Sequence, residues 1–162
     1  MFSRMVPNIF SIHEIVFANK YLQTDQKHYA LNLTYCIGLF TNYLLAKCKF
    51  AVGLDISSKN IKIANHFKKE NTFFYVGNAK NIPHNNNTFD IVFSICALEH
   101  FSNTEKALCE ISRVLKPDGQ LLLTVDSLQT IKSKKIIEFH KKICFVCNYF
   151  TENSIKELLN NT

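Results

Sequence analysis

From residue 30 onward the chain alternates between two kinds of apolar segment. Short, nearly continuous runs occupy Ala30 to Tyr35, Phe50 to Leu54, Thr72 to Val76, Ile91 to Ser94 and Leu121 to Val125. Unbroken apolar character of this kind suits strands covered on both faces rather than strands with one face in water. Between the runs, apolar residues recur at helical spacing. Ile61, Ala64 and Phe67 share one face of a segment opened by Ser57 and Ser58, and Leu108, Ile111 and Leu115 share one face of another. Ser102 and Glu105 stand at the spacing of a capping box before that second helix. Its end is predicted at Lys116-Pro117-Asp118-Gly119, where proline stops a helix and glycine supplies a turn.

Strand and helix in repetition predict an α/β, three-layer Rossmann-like sandwich, a mostly parallel sheet with helices on both faces. Ligands of such sheets sit beyond the carboxyl ends of the strands, so the residues just after each strand are the ones to question. The pattern divides the chain into an N-terminal helical cap segment, 1–29, and a domain, 30–162. The first holds Ile12, Ile15 and Val16 on one side and is expected to lie over the open end of the sheet. Further helices are predicted over 128–142 and from Thr151 to Leu159, with an apolar run, Ile143 to Phe150, between them.

Composition narrows the class without changing it. A chain of 162 residues, 47% apolar and 20% charged, is one globular domain and is not disordered, collagenous or coiled-coil. No apolar run approaches the ~18 residues of a membrane span. Asn8, His13 and Glu14 interrupt the first segment, which does not read as a signal peptide. Six cysteines then read as reduced thiols of a cytoplasmic protein. The net charge of +6 is spread over short lysine groups, which points to solubility and argues against nucleic acid. Cys144-x-x-Cys147 lacks the further ligands a zinc site needs and is read as structural, so no metal is expected.

The strand ends carry the chemistry. Three of the 4 glycines, Gly38, Gly77 and Gly119, fall at predicted turns, and Gly53 lies inside a strand. Asp55 closes the second strand at about the distance from the first strand-to-helix turn that a ribose-binding acid requires, with a role at the helix start as its alternative. Asn78 is suited to an adenine edge, accepting from the amino group and donating to a ring nitrogen, or else to a simple turn. His100 is a candidate general base or a plain turn residue.

Longer segments are more specific. Phe89-Asp90-Ile91-Val92-Phe93-Ser94, Ala97-Leu98-Glu99-His100-Phe101 and Glu110-Ile111-Ser112-Arg113-Val114-Leu115-Lys116-Pro117-Asp118-Gly119 resemble the class I S-adenosylmethionine-dependent methyltransferases. Within them the match is to the small-molecule branch that includes quinone and sterol biosynthesis enzymes. Val52-Gly53-Leu54-Asp55-Ile56-Ser57, Gly77-Asn78-Ala79 and Asn148-Tyr149-Phe150-Thr151 are similar to the family as well. The resemblance implies S-adenosylmethionine as cofactor, S-adenosylhomocysteine as product and a small-molecule methyl acceptor. It places Asn32 and Gly38 at the first turn, Asp55 and Ile56 at the ribose, Asn78 and Ala79 at the adenine, and Ser94 and Ile95 near the methionine end. It implies no fixed catalytic residue, because alignment of an already activated methyl group supplies most of the acceleration.

The same resemblance exposes departures. Where the family has an acidic residue and a glycine-rich loop, this chain reads Asn32-Leu33-Thr34-Tyr35-Cys36-Ile37-Gly38, keeping only the last glycine. Two functions therefore stand open: methyl transfer to a small molecule, and a degenerate methyltransferase fold that serves as a binding or scaffolding partner. A nicotinamide-dependent oxidoreductase would share Asp55 but not the later segments. The family's C-terminal antiparallel hairpin has no counterpart before Thr162. Leu121 to Val125 is thus expected to form an open apolar edge, covered by Ile143 to Phe150 or by another chain in a homo- or hetero-oligomer.

Overall fold

The computed structural model describes residues 20–33, 41–42, 47–125, 133–144 and 146–161. Five strands form one sheet: β1 Tyr29–Leu33, β2 Phe50–Asp55, β3 Thr72–Val76, β4 Phe89–Ile95 and β5 Leu115–Thr124. All pairings are parallel, in the order β3-β2-β1-β4-β5. The chain winds outward from β1 to β3, returns to place β4 beside β1, and continues to β5. The strand order therefore reverses between β1 and β4, which is where such sheets open a crevice.

Both faces of the central strands β1, β2 and β4 are buried, as their unbroken apolar runs predict, while β3 leaves Phe73 and Val76 exposed. Leu31, Leu33, Val52, Leu54 and Val92 point to one side and pack with Leu108 and Ile111. Ala30, Ala51, Ile91 and Phe93 point to the other and pack with Leu22 and Cys48. Helix α1 (Ser58–His66) buries Ile61 and Ala64 against Phe74. Helix α2 (Thr104–Val114) covers the first face. Helices α3 (Lys134–Cys144) and α4 (Glu152–Asn160) follow, and α4 adds Ile155 and Leu158 to the core formed with α2.

Several boundaries differ from expectation for identifiable reasons. The cap of α2 is Asn103, whose side chain accepts from the Lys106 N–H at 2.9 Å, and not Ser102. Helix α2 ends at Val114, before Pro117, because the residue preceding a proline is pushed out of the helical region. Lys116-Pro117-Asp118-Gly119 then forms a bulge inside β5, opposite Asp90, with Asp118 at φ 63°. Pro117 has no N–H to offer a ladder, so a bulge is where it fits. Ser57 caps α1 and Thr151 caps α4 through a reciprocal pair with Ser154. Leu128 and Ile131 of the predicted 128–142 helix lie outside the described residues.

Of segment 1–29, residues 20–28 are described. Leu22 packs among the early residues of β1, β2 and β4, and Gln23 exchanges hydrogen bonds with Gln120 at 3.0 and 3.3 Å. These contacts belong to the amino half of the sheet. There, too, Lys116 bonds both carboxylate oxygens of Asp90 at 2.8 and 2.9 Å, and the Tyr29 N–H donates to the same group at 2.9 Å. Burial raises the Asp90 pKa, but the ammonium and the N–H together hold it below its usual value. At the other margin β5 pairs with β4 alone among the described residues, as expected of an edge. The described part of the run Ile143 to Phe150 does not join it: the Cys147 and Asn148 N–H groups donate instead to Glu99 O, at 2.8 and 2.9 Å. No helix among the described residues is long and apolar enough to cross a membrane.

Arg113, in the last turn of α2, fixes the loop that joins β3 to β4. Its guanidinium donates to Glu110 at 2.7 and 2.8 Å, to Ile82 O at 2.9 Å, to His84 O at 2.7 Å and to Asn86 at 3.0 Å. Glu110 completes the circuit by accepting from the Ile82 N–H at 2.8 Å. On the loop's inner side the Tyr75 hydroxyl meets His84 Nε2 in a close hydrogen bond. Burial, then the neighbouring Arg113, lowers the His84 pKa, which favours the neutral ring.

Two consequences are measurable. A methyl group at position 53 would collide with the ring of Phe74, so Gly53→Ala is expected to lower the urea-unfolding free energy by about 1–3 kcal/mol. The Glu110 pKa is held below its usual 4.5, chiefly by the hydrogen bond from Arg113, against an opposing contribution from burial. A depressed acid stabilises above its unfolded pKa and loses that contribution as pH falls through the folded one. The melting-temperature gap between the parent chain and Glu110→Gln is therefore expected to be constant above about pH 5.5 and to close below the ordinary glutamate range.

Candidate functional site

A cleft of about 120 Å³ opens at the carboxyl ends of β1, β2 and β3. Leu33 and Leu54 lie at the ends of β1 and β2, and Asp55 and Ile56 carry the second wall forward. Gly77, Asn78, Ala79 and Lys80 follow β3. His100, Phe101 and Ser102 close the opposite side from the turn after β4. Strand order puts them together: residues distant in sequence share a cleft because β1, β2 and β3 are successive neighbours in the sheet, Leu33 opposite Leu54 and Asp55 opposite Val76.

Asp55 is 3% exposed and fixed in direction. One carboxylate oxygen accepts from the Ser57 N–H at 2.7 Å and the other from Asn60 Nδ2 at 3.2 Å. Ile56, beside it, is 70% exposed at the cleft. The cap of α1 is Ser57, so Asp55 is not the residue that starts the helix. Asn78 makes the turn and stands at the cleft. Its Oδ1 accepts from the Lys80 N–H at 2.9 Å, closing a turn, while the residue also lines the cleft. Since a backbone N–H requires an oxygen, this bond fixes the orientation of the amide and makes Nδ2 the group offered elsewhere.

The remaining candidates are placed differently. Asn32 is 2% exposed, donates to Thr41 Oγ1 at 2.7 Å, and does not line the cleft. Ser94 is fully buried in β4, and Ile95 packs on the cluster around Ile91 and Phe93. Neither reaches this cleft. Gly38, Thr34 and Cys36 lie outside the described residues. Among the described residues no group of three or more His, Cys, Asp or Glu is gathered for a metal ion.

Three wall residues were not singled out from sequence: Lys80, Phe101 and Ser102. Lys80 Nζ donates to Ser102 Oγ at 2.9 Å, a bond that spans the cleft between the loops after β3 and β4. Their signal was position alone, directly after Ala79 and directly after the Leu98–His100 turn. His100 reaches the cleft as a wall residue.

The donor set suits a nucleoside. A rigidly held carboxylate accepts from a sugar diol, an amide N–H donates to a ring nitrogen, and Leu33, Leu54, Ile56 and Phe101 supply the apolar surface that a flat base needs. Gly77 sits against Leu54 so closely that a side-chain methyl there would strike it, which keeps backbone and β2 in contact beneath this wall.

Comparison with known proteins gives the same answer. The sequence model of the family described as "Methyltransferase domain" matches residues 31–123, more than half of the chain. A ubiquinone/menaquinone biosynthesis C-methyltransferase of Wigglesworthia glossinidia brevipalpis is 33% identical over 112 residues, 66% of this chain and 42% of that protein. The uncharacterized methyltransferase YcgJ of Bacillus subtilis is 37% identical over 76 residues, 44% of this chain and 30% of that one. Its solved structure superposes with a TM-score of 0.85 at 21% identity, covering 93% of this chain and 67% of that one. A Haemonchus contortus phosphoethanolamine N-methyltransferase solved with S-adenosylhomocysteine gives a TM-score of 0.80 at 20% identity, over 92% of this chain and 36% of that one. The chain thus spans less than half the length of these curated relatives. Strand order, cleft and family match agree, and the chain belongs to the class I S-adenosylmethionine-dependent methyltransferases.

Proposed function

We propose that the cleft binds the nucleoside half of S-adenosylmethionine and that the protein transfers its methyl group to a small-molecule acceptor. The observation that carries this reading is the convergence of Asp55 and Asn78, from the ends of β2 and β3, on one partly apolar cleft. When bound, the cofactor supplies a methyl group already activated on a sulfonium, which leaves the protein to bind, orient and exclude water.

Asp55 accepts from the ribose hydroxyls. An ionised carboxylate has about four acceptor directions, so the bonds from Ser57 and Asn60 aim it while it takes a diol. Asn78 donates through Nδ2 to a ring nitrogen of the adenine. Its Oδ1 is committed to Lys80, so the second contact expected from sequence, acceptance from the amino group, is not its main one. Ile56 and Phe101 flank the base, and Lys80 with Ser102 bridges the cleft. Similarity to quinone-methylating relatives supports a small organic acceptor.

Titration calorimetry with S-adenosylhomocysteine tests the reading. Micromolar binding is expected, weakened about ten- to hundredfold by Asp55→Asn, which keeps an oxygen for Ser57 but removes a charge-assisted contact. Absence of heat at millimolar ligand, with the chain shown folded by circular dichroism, overturns it.

A further inference from the structure

We propose that helix α3 docks on an anionic phospholipid surface. The helix carries Lys134, Lys135, Lys141 and Lys142 against one acid, Glu138. Of its described side chains only Ile137 is partly covered. Ile136 is 53% exposed and Phe139 66%. Tyr149 meets it from the body: its hydroxyl donates to Ile137 O at 3.4 Å, and the Lys141 ammonium lies 5.2 Å from the centre of its ring.

The exposed apolar residues are not scattered. At 3.6 residues per turn, Ile136 and Phe139 lie about 60° apart on one face, and Lys135 and Lys142 flank Phe139 on one side. Lys134, Glu138 and Lys141 fall on the far side. A helix so arranged lies in the plane of a bilayer interface, with its apolar side chains at the acyl boundary and its lysine stems reaching back to the headgroups.

Charge selects the occupant. A second copy packed across a two-fold axis would bring Lys135 and Lys142 toward their own equivalents, whereas anionic headgroups complement them. The net charge of +6 acts in the same direction. Past α3 the chain returns at once to the cleft. Asn148 Nδ2 donates to Phe101 O at 2.7 Å, so docking through α3 would bring that rim to the membrane.

The test is sedimentation of the full chain with vesicles of phosphatidylcholine alone or mixed with phosphatidylserine. Binding is expected to rise with the phosphatidylserine share and to fall with salt. Phe139→Ser should weaken it about tenfold, and Lys135→Gln or Lys142→Gln about fivefold each. Since the chain has no tryptophan, Phe139→Trp installs a single reporter whose emission should shift to the blue on phosphatidylserine vesicles. Equal binding to both vesicle types, an unshifted Trp emission, or dissociation of a dimer by Phe139→Ser would each overturn the proposal. Because the experiment contains no nucleoside, its outcome is independent of what the cleft binds.

Discussion

The guanidinium of Arg113 is the interaction on which the cleft wall depends. The loop from Asn78 to Asn87 has no regular structure beyond an isolated bridge between Asn78 and Asn81. Its His84 carbonyl takes its hydrogen bond from Arg113, and its Ile82 carbonyl takes one from Arg113 beside that of the His84 N–H, where an unpaired buried carbonyl would be costly. One planar fork meets both, and Glu110 answers from the same helix by accepting the Ile82 N–H. The far side of the loop is closed by Tyr75 and a neutral His84. Asn78, Ala79 and Lys80 therefore stand on a segment anchored at its middle, and the geometry of the cleft is inherited from α2.

The amino end of the sheet has a matching device. Lys116, in the bulge of β5, holds Asp90 of β4 while Tyr29 of β1 donates to the same carboxylate. The segments that carry the family likeness most strongly, around Asp90, Arg113 and Lys116, thus serve architecture, whereas the cleft draws on shorter stretches. This explains why such a likeness specifies a fold so well and says little about an acceptor. Function sits on loops that the shared segments merely position.

Much of this was legible in the sequence, and the limits have physical causes. Strands write themselves into unbroken apolar runs, so β3 was read with its observed bounds and β2, buried on both faces, to within one residue. The position of Asp55 at the end of β2 followed from strand length alone. What periodicity does not encode is competition between adjacent polar residues: Asn103 displaced Ser102 as the cap of α2, and Ser102 turned to Lys80. Nor does it reveal where a side-chain oxygen is already spent, as Asn78 Oδ1 is on its own turn. Gly53 gives a third case. It lies inside a strand, and the space it leaves is filled by Phe74 from the neighbouring strand, a cross-strand fit that the pattern along one segment does not show.

Asn32 changes meaning most between sequence and structure. Against the family pattern it is the loss of a carboxylate. In the fold it is the first link of a buried, neutral chain of hydrogen bonds: its amide donates to Thr41, next to Asn42, which accepts from the Thr72 hydroxyl on β3 and donates to Phe67 O after α1. A carboxylate at position 32 would enter a site 2% exposed, where the contact present is a neutral hydroxyl, and would bear the desolvation cost of a buried charge. The amide is thus matched to its surroundings. Asn32 ties β1 to Thr41, and Asn42 beside it meets β3, while Asp55 and Asn78 line the cleft. The polar groups that line the cleft and those that tie the sheet are thus different, and the departure at position 32 leaves Asp55 and Asn78 in place.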